Sequence, residues 1–239
     1  MTAPLSTQPA PAQKPSGFLS NLIFNIVVPA VILSKFSGEE QLGPVWGIVL
    51  ALAFPIGFGL WDLRRLGKVN FFSVLGIISV FLTGGIALLE LDPAYIAIKE
   101  AAIPGAIGIA VLVSQRLGFG LVKKFLLNGQ ILDSDKLYQA LALRQTVAQF
   151  EQRLAKASYL VASSFFLSSA LNYILAKVVL QSPPGTTAFN EELGRMTWLS
   201  YPVIVLPSML VLMLAIWFIF SSIGKLTGRE LDEFLVQQG

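Results

Sequence analysis

A chain of 239 residues that is 54% hydrophobic and 13% charged, with a mean hydropathy of +0.70, cannot have water as its main solvent, because soluble domains carry about a quarter charged residues. That length holds six spans of about 20 apolar residues plus a modest extramembrane element, and excludes a large soluble domain. Cysteine and histidine are both absent, which removes disulfides, thiolate and imidazole metal ligands and the Ser-His and Cys-His nucleophiles, while the net charge of +3 matters only through its distribution.

The opening stretch, Met1 to Ser16, is rich in Pro, Ala, Ser and Thr and lacks the basic region and cleavage site of a secretory signal, so a disordered tail and an uncleaved signal anchor are expected. The first apolar run, Gly17 to Phe36, contains Asn25 and Pro29, a residue that membrane helices tolerate when neighbours serve the freed carbonyl. A turn at Ser37 to Gly43 leads to the second run, Pro44 to Trp61, and to a short basic loop, Asp62 to Lys68. The third run, Asn70 to Leu89, is joined by the acidic turn Glu90-Leu-Asp92-Pro93 to the fourth, Ala94 to Gln115, and the two are expected to form a helical hairpin.

Arg116 to Gln130 is amphipathic but too interrupted by Gly118, Gly120 and Asn128-Gly129 to span, so it is placed along the inner surface. Asp133-Ser-Asp135 is an N-cap signal for one long helix that runs into the fifth span, Ala157 to Leu180. Its soluble part carries Ala140, Leu143, Val147, Phe150, Leu154 and Ala157, whose spacing draws one apolar stripe. After a polar outer loop, Gln181 to Met196, the sixth span covers Trp198 to Gly224 and a short amphipathic tail closes the chain.

Basic residues in short loops stay cytoplasmic. With the N-terminus inside, only Lys35, Lys177 and Arg195 of the 17 Lys and Arg residues fall outside, and Lys99 lies within a span near its outer end. The expected architecture is therefore all-α, a polytopic membrane helix bundle of six transmembrane helices and one amphipathic cytoplasmic segment. The chain divides into a disordered cytoplasmic tail (1–16), spans one to four (17–115), the amphipathic and helical cytoplasmic segment (116–156), spans five and six (157–224) and a cytoplasmic tail (225–239).

Ionisable residues within a span are functional candidates by default, which singles out Lys99 and Glu100. Lys99 lies about 8 Å below the outer boundary, within reach of the headgroups for a long side chain, and because successive helix residues diverge by about 100° the two are expected to need separate partners. Glu90, Asp92, Lys35 and Lys177 lie at the same level, so the cluster is either a ligand or ion site or a clasp of ion pairs tying span ends together. Asn25 and Asn172 line a polar path or act as interhelical glue. Ala101, Gly105 and Gly108, like Ser73, Gly76, Ser79 and Thr83, recur at helical spacing and mark close-packed faces. Gly84-Gly85 and Pro104-Gly105 are packing residues or breaks of the kind found around transporter sites. The surroundings of Asn25 and Asn172 share a pattern, each leading through Lys35 or Lys177 to a Glu-Glu pair, as an old hairpin duplication or a coincidence would produce. Arg64, Arg65, Lys68, Lys123 and Lys124 are candidates for anionic lipid headgroups, although inner-side topology accounts for the same residues. No phosphate loop, metal cluster, cofactor motif or nucleic-acid signature is present.

The run Thr83-Gly-Gly-Ile-Ala-Leu-Leu-Glu-Leu-Asp92, followed by Ala97-Ile-Lys99-Glu-Ala-Ala-Ile-Pro104 and Leu112-Val-Ser-Gln115, resembles bacterial intracellular septation protein A over about a third of the chain. With Leu171-Asn-Tyr-Ile-Leu-Ala176 and Leu206-Pro-Ser208, the chain from Asn25 onward is similar to an uncharacterised family of six-span bacterial inner-membrane proteins, loosely labelled transporters. The resemblance implies an inner-membrane location and a role in envelope maintenance or division through other membrane proteins; it transfers Lys99, as the lysine opening the span after the acidic turn, and no catalytic residue. Septation protein A is shorter and lacks a counterpart of Asp133 to Lys156. The expected function is non-enzymatic, through lipid or membrane-protein partners or a homo-oligomer, with no cofactor, metal or nucleic acid. The alternative is a small-solute, ion or lipid transporter with a polar site near the outer ends of helices 1, 3, 4 and 5. A membrane-embedded enzyme using Glu100 or Glu90 with Lys99 is the remaining class.

Overall fold

The computed structural model describes residues 19, 22–66 and 71–236, the side chains at 62–63, 65–66 and 71–77 excepted. The expected disordered tail therefore lies outside the described residues, as do Lys68 and the side chains of Arg65 and Ser73. Among the described residues the chain is all-helical, with a single isolated β-bridge. In order the helices are α1 (Ile23–Lys35), α2 (Gly43–Leu66), α3 (Phe71–Leu88), α4 (Ala94–Arg116), α5 (Leu121–Leu126), α6 (Ser134–Leu143), α7 (Val147–Val179) and α8 (Thr187–Thr227), followed by a 3-10 turn at Leu231–Phe234. Four stretches are long and apolar enough to cross a membrane, Gly43–Trp61, Ala94–Arg116, Val147–Val179 and Thr187–Thr227. Ile23–Lys35 and Ile78–Leu88, where the first and third of the six expected spans fall, are apolar but shorter among the described residues.

The chain forms two compact units, Met1–Asp92 with Leu180–Thr197, and Pro93–Val179 with Trp198–Gly239. In the first, α2 packs against α1 and α3. Helix α1 opens with a π turn, Ile23–Val27, in which the Val28 N–H bonds to the Ile23 carbonyl. Pro29 removes the N–H that would serve the carbonyl four residues earlier, and the chain responds by shifting to i→i+5 bonding in the turn before it. The same device recurs in α8, where Pro207 follows a π turn at Tyr201–Val205 and the Leu206 N–H reaches the Tyr201 carbonyl. Helix α2 continues to Leu66, so part of the loop expected at Asp62 to Lys68 is helical. Gly84-Gly85 and Pro104-Gly105 do not break their helices either. Gly84 is buried, and a Cβ there would collide with Leu52.

Helix α8 begins at Thr187, within the stretch expected to be a polar outer loop. The Glu192 carboxylate turns back to accept the backbone N–H groups of Gln181 (2.8 Å) and Ser182 (2.9 Å) and the Ser182 hydroxyl (2.7 Å), fixing the preceding turn. Phe189, Asn190, Leu193 and Gly194 form its buried face. A side chain at Gly194 would meet the Ala30 carbonyl oxygen and Ser34, so this glycine is what lets α8 approach α1. Asn190 Nδ2 donates to the Pro44 carbonyl at 2.8 Å, and the Thr187 hydroxyl donates to the Ser37 carbonyl at 3.2 Å.

In the second unit α4 and α8 both pack on α7. The expected Ala101, Gly105, Gly108 face of α4 is used: Ser169 Oγ donates to the Ala101 carbonyl at 2.7 Å, and Gly108 lies under the Phe165 and Phe166 side chains. Asp133 caps α6 by accepting the Lys136 N–H at 3.1 Å, as its sequence signal predicts. The single long helix expected from there into the fifth span is broken, however, at Arg144–Thr146. Gln145 takes φ 57°, its N–H bonds to the Ala142 carbonyl (3.0 Å) and the Thr146 N–H to the Leu141 carbonyl (2.9 Å), a Schellman closure. The Thr146 hydroxyl then donates to the Leu226 carbonyl at 3.1 Å, anchoring the corner to α8. The break turns Leu143 out of the expected stripe to 78% exposure, while Ala140, Phe150, Leu154 and Ala157 stay buried.

Those residues join Leu126, Leu132, Leu137, Leu141, Ile219, Ile223 and Phe234 in one apolar core, a collar around the start of α7 and the end of α8. The C-terminal segment closes it. The Asp133 N–H bonds to the Phe234 carbonyl (2.8 Å), the Val236 N–H bonds to the Ile131 carbonyl (3.1 Å), and Leu132 bridges to Leu235.

Candidate functional site

The residues expected to form a polar cluster are divided between the units: Asn25, Lys35 and Glu90 in the first, Lys99, Glu100, Asn172 and Lys177 in the second. Asn25 sits in the π turn of α1 and is half-buried. Lys35 lines a cavity of about 310 Å³ with Ser34, Ser37, Glu39, Glu40, Gln41 and Glu191, at the end of α1. Glu90 is the αL residue that closes α3, at φ 55°, with the Glu90 N–H on Ala87 and the Leu91 N–H on Ile86, and its carboxylate lies against Gly185.

Lys99 and Glu100, although their stems diverge, reach each other and pair at 2.6 Å, with Lys99 9% exposed. The helix projects the two stems about 100° apart, but the lysine's four methylenes let the ammonium curl around the helix to its neighbour, an adaptation the projection alone does not capture. Asn172 Nδ2 donates to the Ser168 carbonyl of its own helix at 2.8 Å, and Lys177 is exposed.

Of the headgroup candidates, Arg64 is exposed, while Lys68 and the Arg65 side chain lie outside the described residues. Lys124 stands over the Phe119 ring at 5.0 Å. Lys123 is engaged in the collar, where Glu151 Oε1 accepts both the Lys123 ammonium and the Tyr138 hydroxyl, each at 2.6 Å. Tyr138 packs edge-on to the buried Phe150, at 6.1 Å between centroids, so the polar triad rests on the apolar core. Burial alone would raise the Glu151 carboxyl, but hydrogen bonds from Lys123 and Tyr138 and the lysine's charge hold it below the ordinary range. Burial opposes the charge on Lys123, yet Glu151 and Tyr138 raise it above the usual lysine value. Burial first, and then the bond to Glu151, push the Tyr138 hydroxyl up. Sequence reasoning does not find this triad, because its members are 13 and 28 residues apart with no local periodicity linking them.

The arrangement is suited to holding charge and shape at the collar surface. Among the described residues no group of three or more acidic side chains is placed to hold a metal ion. Comparisons with protein-family models, with curated proteins and with solved structures give no match to this chain.

Proposed function

We propose that the chain is a multi-pass protein of a bacterial inner membrane, without a catalytic centre, that works through its collar at the cytoplasmic surface by holding lipid headgroups and membrane-protein partners. The observation that carries this reading is the change of character along α7. Its first turns, with Phe150 and Leu154, are buried in the collar core beside Lys123, Glu151 and Tyr138, and from Ala157 on it is an apolar helix of membrane-spanning length. A helix built this way couples a water-exposed, folded platform rigidly to the bilayer. The positive-inside bias supports a platform on the inner side, with both termini cytoplasmic. The resemblance of the runs around Thr83–Asp92 and Ala97–Pro104 to septation protein A supports a place in envelope maintenance.

Because the chain has no cysteine of its own, single cysteines provide the test. In intact cells, Lys136→Cys and Leu143→Cys are expected to resist a membrane-impermeant maleimide until the cells are opened, whereas Glu191→Cys labels directly. Labelling of all three from outside overturns the orientation, and with it the role of the collar. The transporter reading draws on one observation, the polar cavity at Lys35. It loses that support if Ser34→Cys is shielded from small water-soluble reagents in membranes.

A further inference from the structure

A second basic feature of the collar unit lies apart from the Lys123–Glu151–Tyr138 triad. Arg153 on α7 and Lys225 on α8 flank a notch of about 220 Å³ that is also lined by Trp217, Phe218, Ser221 and Ser222. The Arg153 guanidinium stands over the Phe218 ring at 5.4 Å from its centroid. A guanidinium held by its face on an aromatic ring keeps its N–H edge free for a bidentate acceptor. None of the ion pairs among the described residues includes Arg153 or Lys225, and three nearby carboxylates are paired elsewhere, Glu151 with Lys123, Glu233 with Arg229 and Asp133 with Lys136. The Ser222 hydroxyl donates to the Phe218 carbonyl at 2.7 Å, whereas the Ser221 hydroxyl makes no hydrogen bond among the described residues. The notch therefore presents two cations and a hydroxyl donor, and no carboxylate is among its lining residues.

The level of the notch names the source of its anion. Trp217, 67% exposed, has the amphipathic ring that settles at the membrane–water boundary, and Lys225 follows it by two helical turns. Arg153 stands one turn before Ala157, where the apolar part of α7 begins. We propose that this notch binds the phosphate of an anionic phospholipid, with Arg153, Lys225 and Ser221 on the phosphate oxygens and Trp217 against the glycerol and upper acyl region. The assignment rests on the membrane reading above and specifies one headgroup site within it.

The test uses the full chain reconstituted in nanodiscs of phosphatidylcholine doped with phosphatidylglycerol, with bound lipid counted by native mass spectrometry. The wild type is expected to retain phosphatidylglycerol selectively, and Arg153→Gln and Lys225→Gln each to lower its apparent affinity about fivefold, the equivalent of one basic residue at a membrane surface. Unchanged selectivity in the double variant overturns the site. Displacement of the lipid from wild type by excess inorganic phosphate, at constant ionic strength, also overturns it, because the notch would then be a site for a free anion. Both side chains are exposed, so folding is expected to survive; should the double variant fail to fold, Lys225→Gln alone carries the same expectation. Loss of lipid selectivity with correct cysteine labelling removes only this site, whereas wrong-side labelling with selectivity intact removes the orientation and leaves the binding.

Discussion

In the first unit the start of α8 is fastened to α1 and α2 by a few polar contacts to backbone carbonyls, Asn190 to Pro44 and Thr187 to Ser37, and by the close approach that Gly194 permits. In the second, five stretches of chain are fastened into a collar by interdigitated Leu, Ile and Phe side chains, with backbone hydrogen bonds closing its C-terminal segment. These two ways of holding helices together fail differently. A hydrophobic core loses stability in proportion to the volume removed, whereas a latch of single contacts loses little to most substitutions and much to the one that obstructs the approach.

The largest expected effect therefore comes from the collar. Phe150 is fully buried, and Phe150→Ala is expected to cost about 3–5 kcal/mol. The loss should appear as early amide exchange in 121–156 and 228–236, with the apolar part of α7 still protected. Uniform loss of protection along α7 would show that collar and span are one cooperative element. Next is the latch. Gly194→Ala brings a methyl onto the Ala30 carbonyl and Ser34, and the displacement is expected to cost about 1–3 kcal/mol in the first unit, read from detergent unfolding. Asn190→Ala should cost less, about 1 kcal/mol, because Asn190 makes one good bond while its own buried carbonyl oxygen has no partner, so removal relieves one deficit as it creates another.

Much of this comparison was open to sequence reasoning, and the parts that were not share a cause. The Asp133 cap and the Ala101, Gly105, Gly108 face are local patterns and each appears where its spacing puts it, and four of the six apolar runs fall on helices of spanning length among the described residues. The corner at Arg144–Thr146 contains neither Gly nor Pro and is held by Leu226, 80 residues on, so no local pattern announces it. The helical start of α8 lies in a stretch of polar composition, and its stability comes from buried contacts to α1 and α2. The collar is closed by the last described residues returning to Ile131–Asp133, a pairing that periodicity cannot express. Of the site candidates, Lys99 and Glu100 were identifiable as intramembrane charges, but their mutual pairing depends on a rotamer. Arg153 and Lys225 were legible only as inner-side charges, since the notch they share exists through the packing of α7 on α8.

The collar's polar rim gives a pH-dependent version of the same contrast. Glu151 is held below its ordinary value, so its contribution is complete above the unfolded carboxylate range and is lost as pH falls through the folded value. Lys123 is raised, so its contribution is complete below the ordinary lysine value and is lost as pH rises through the folded one. Both side chains are more than a third exposed, so solvent screens the pair and the effect should be smaller than those of the buried substitutions. Collar exchange rates are expected to rise below about pH 4.5 in the wild type but not in Glu151→Gln, while the first unit's latch stays flat over that range; a matching rise in the variant would assign the acid limb to another group.

The smallest effect separates the units at a single backbone torsion. Gln145 and Glu90 each close a helix in the left-handed region, where a side chain costs about 1–2 kcal/mol, and glycine removes that strain at an entropic cost of about 0.5–1 kcal/mol. Gln145 is exposed and its side chain makes no hydrogen bond or ion pair among the described residues, so Gln145→Gly should stabilise the collar by roughly half a kcal/mol. Glu90 lays its carboxylate against Gly185, and Glu90→Gly gives up that contact along with the strain, so the first unit should gain nothing or lose slightly. If both variants gained equally, the Glu90–Gly185 contact would be incidental. If neither did, left-handed torsions would be as comfortable here for Gln and Glu as for Gly, and the corner between α6 and α7 would owe its shape entirely to Thr146 and Leu226.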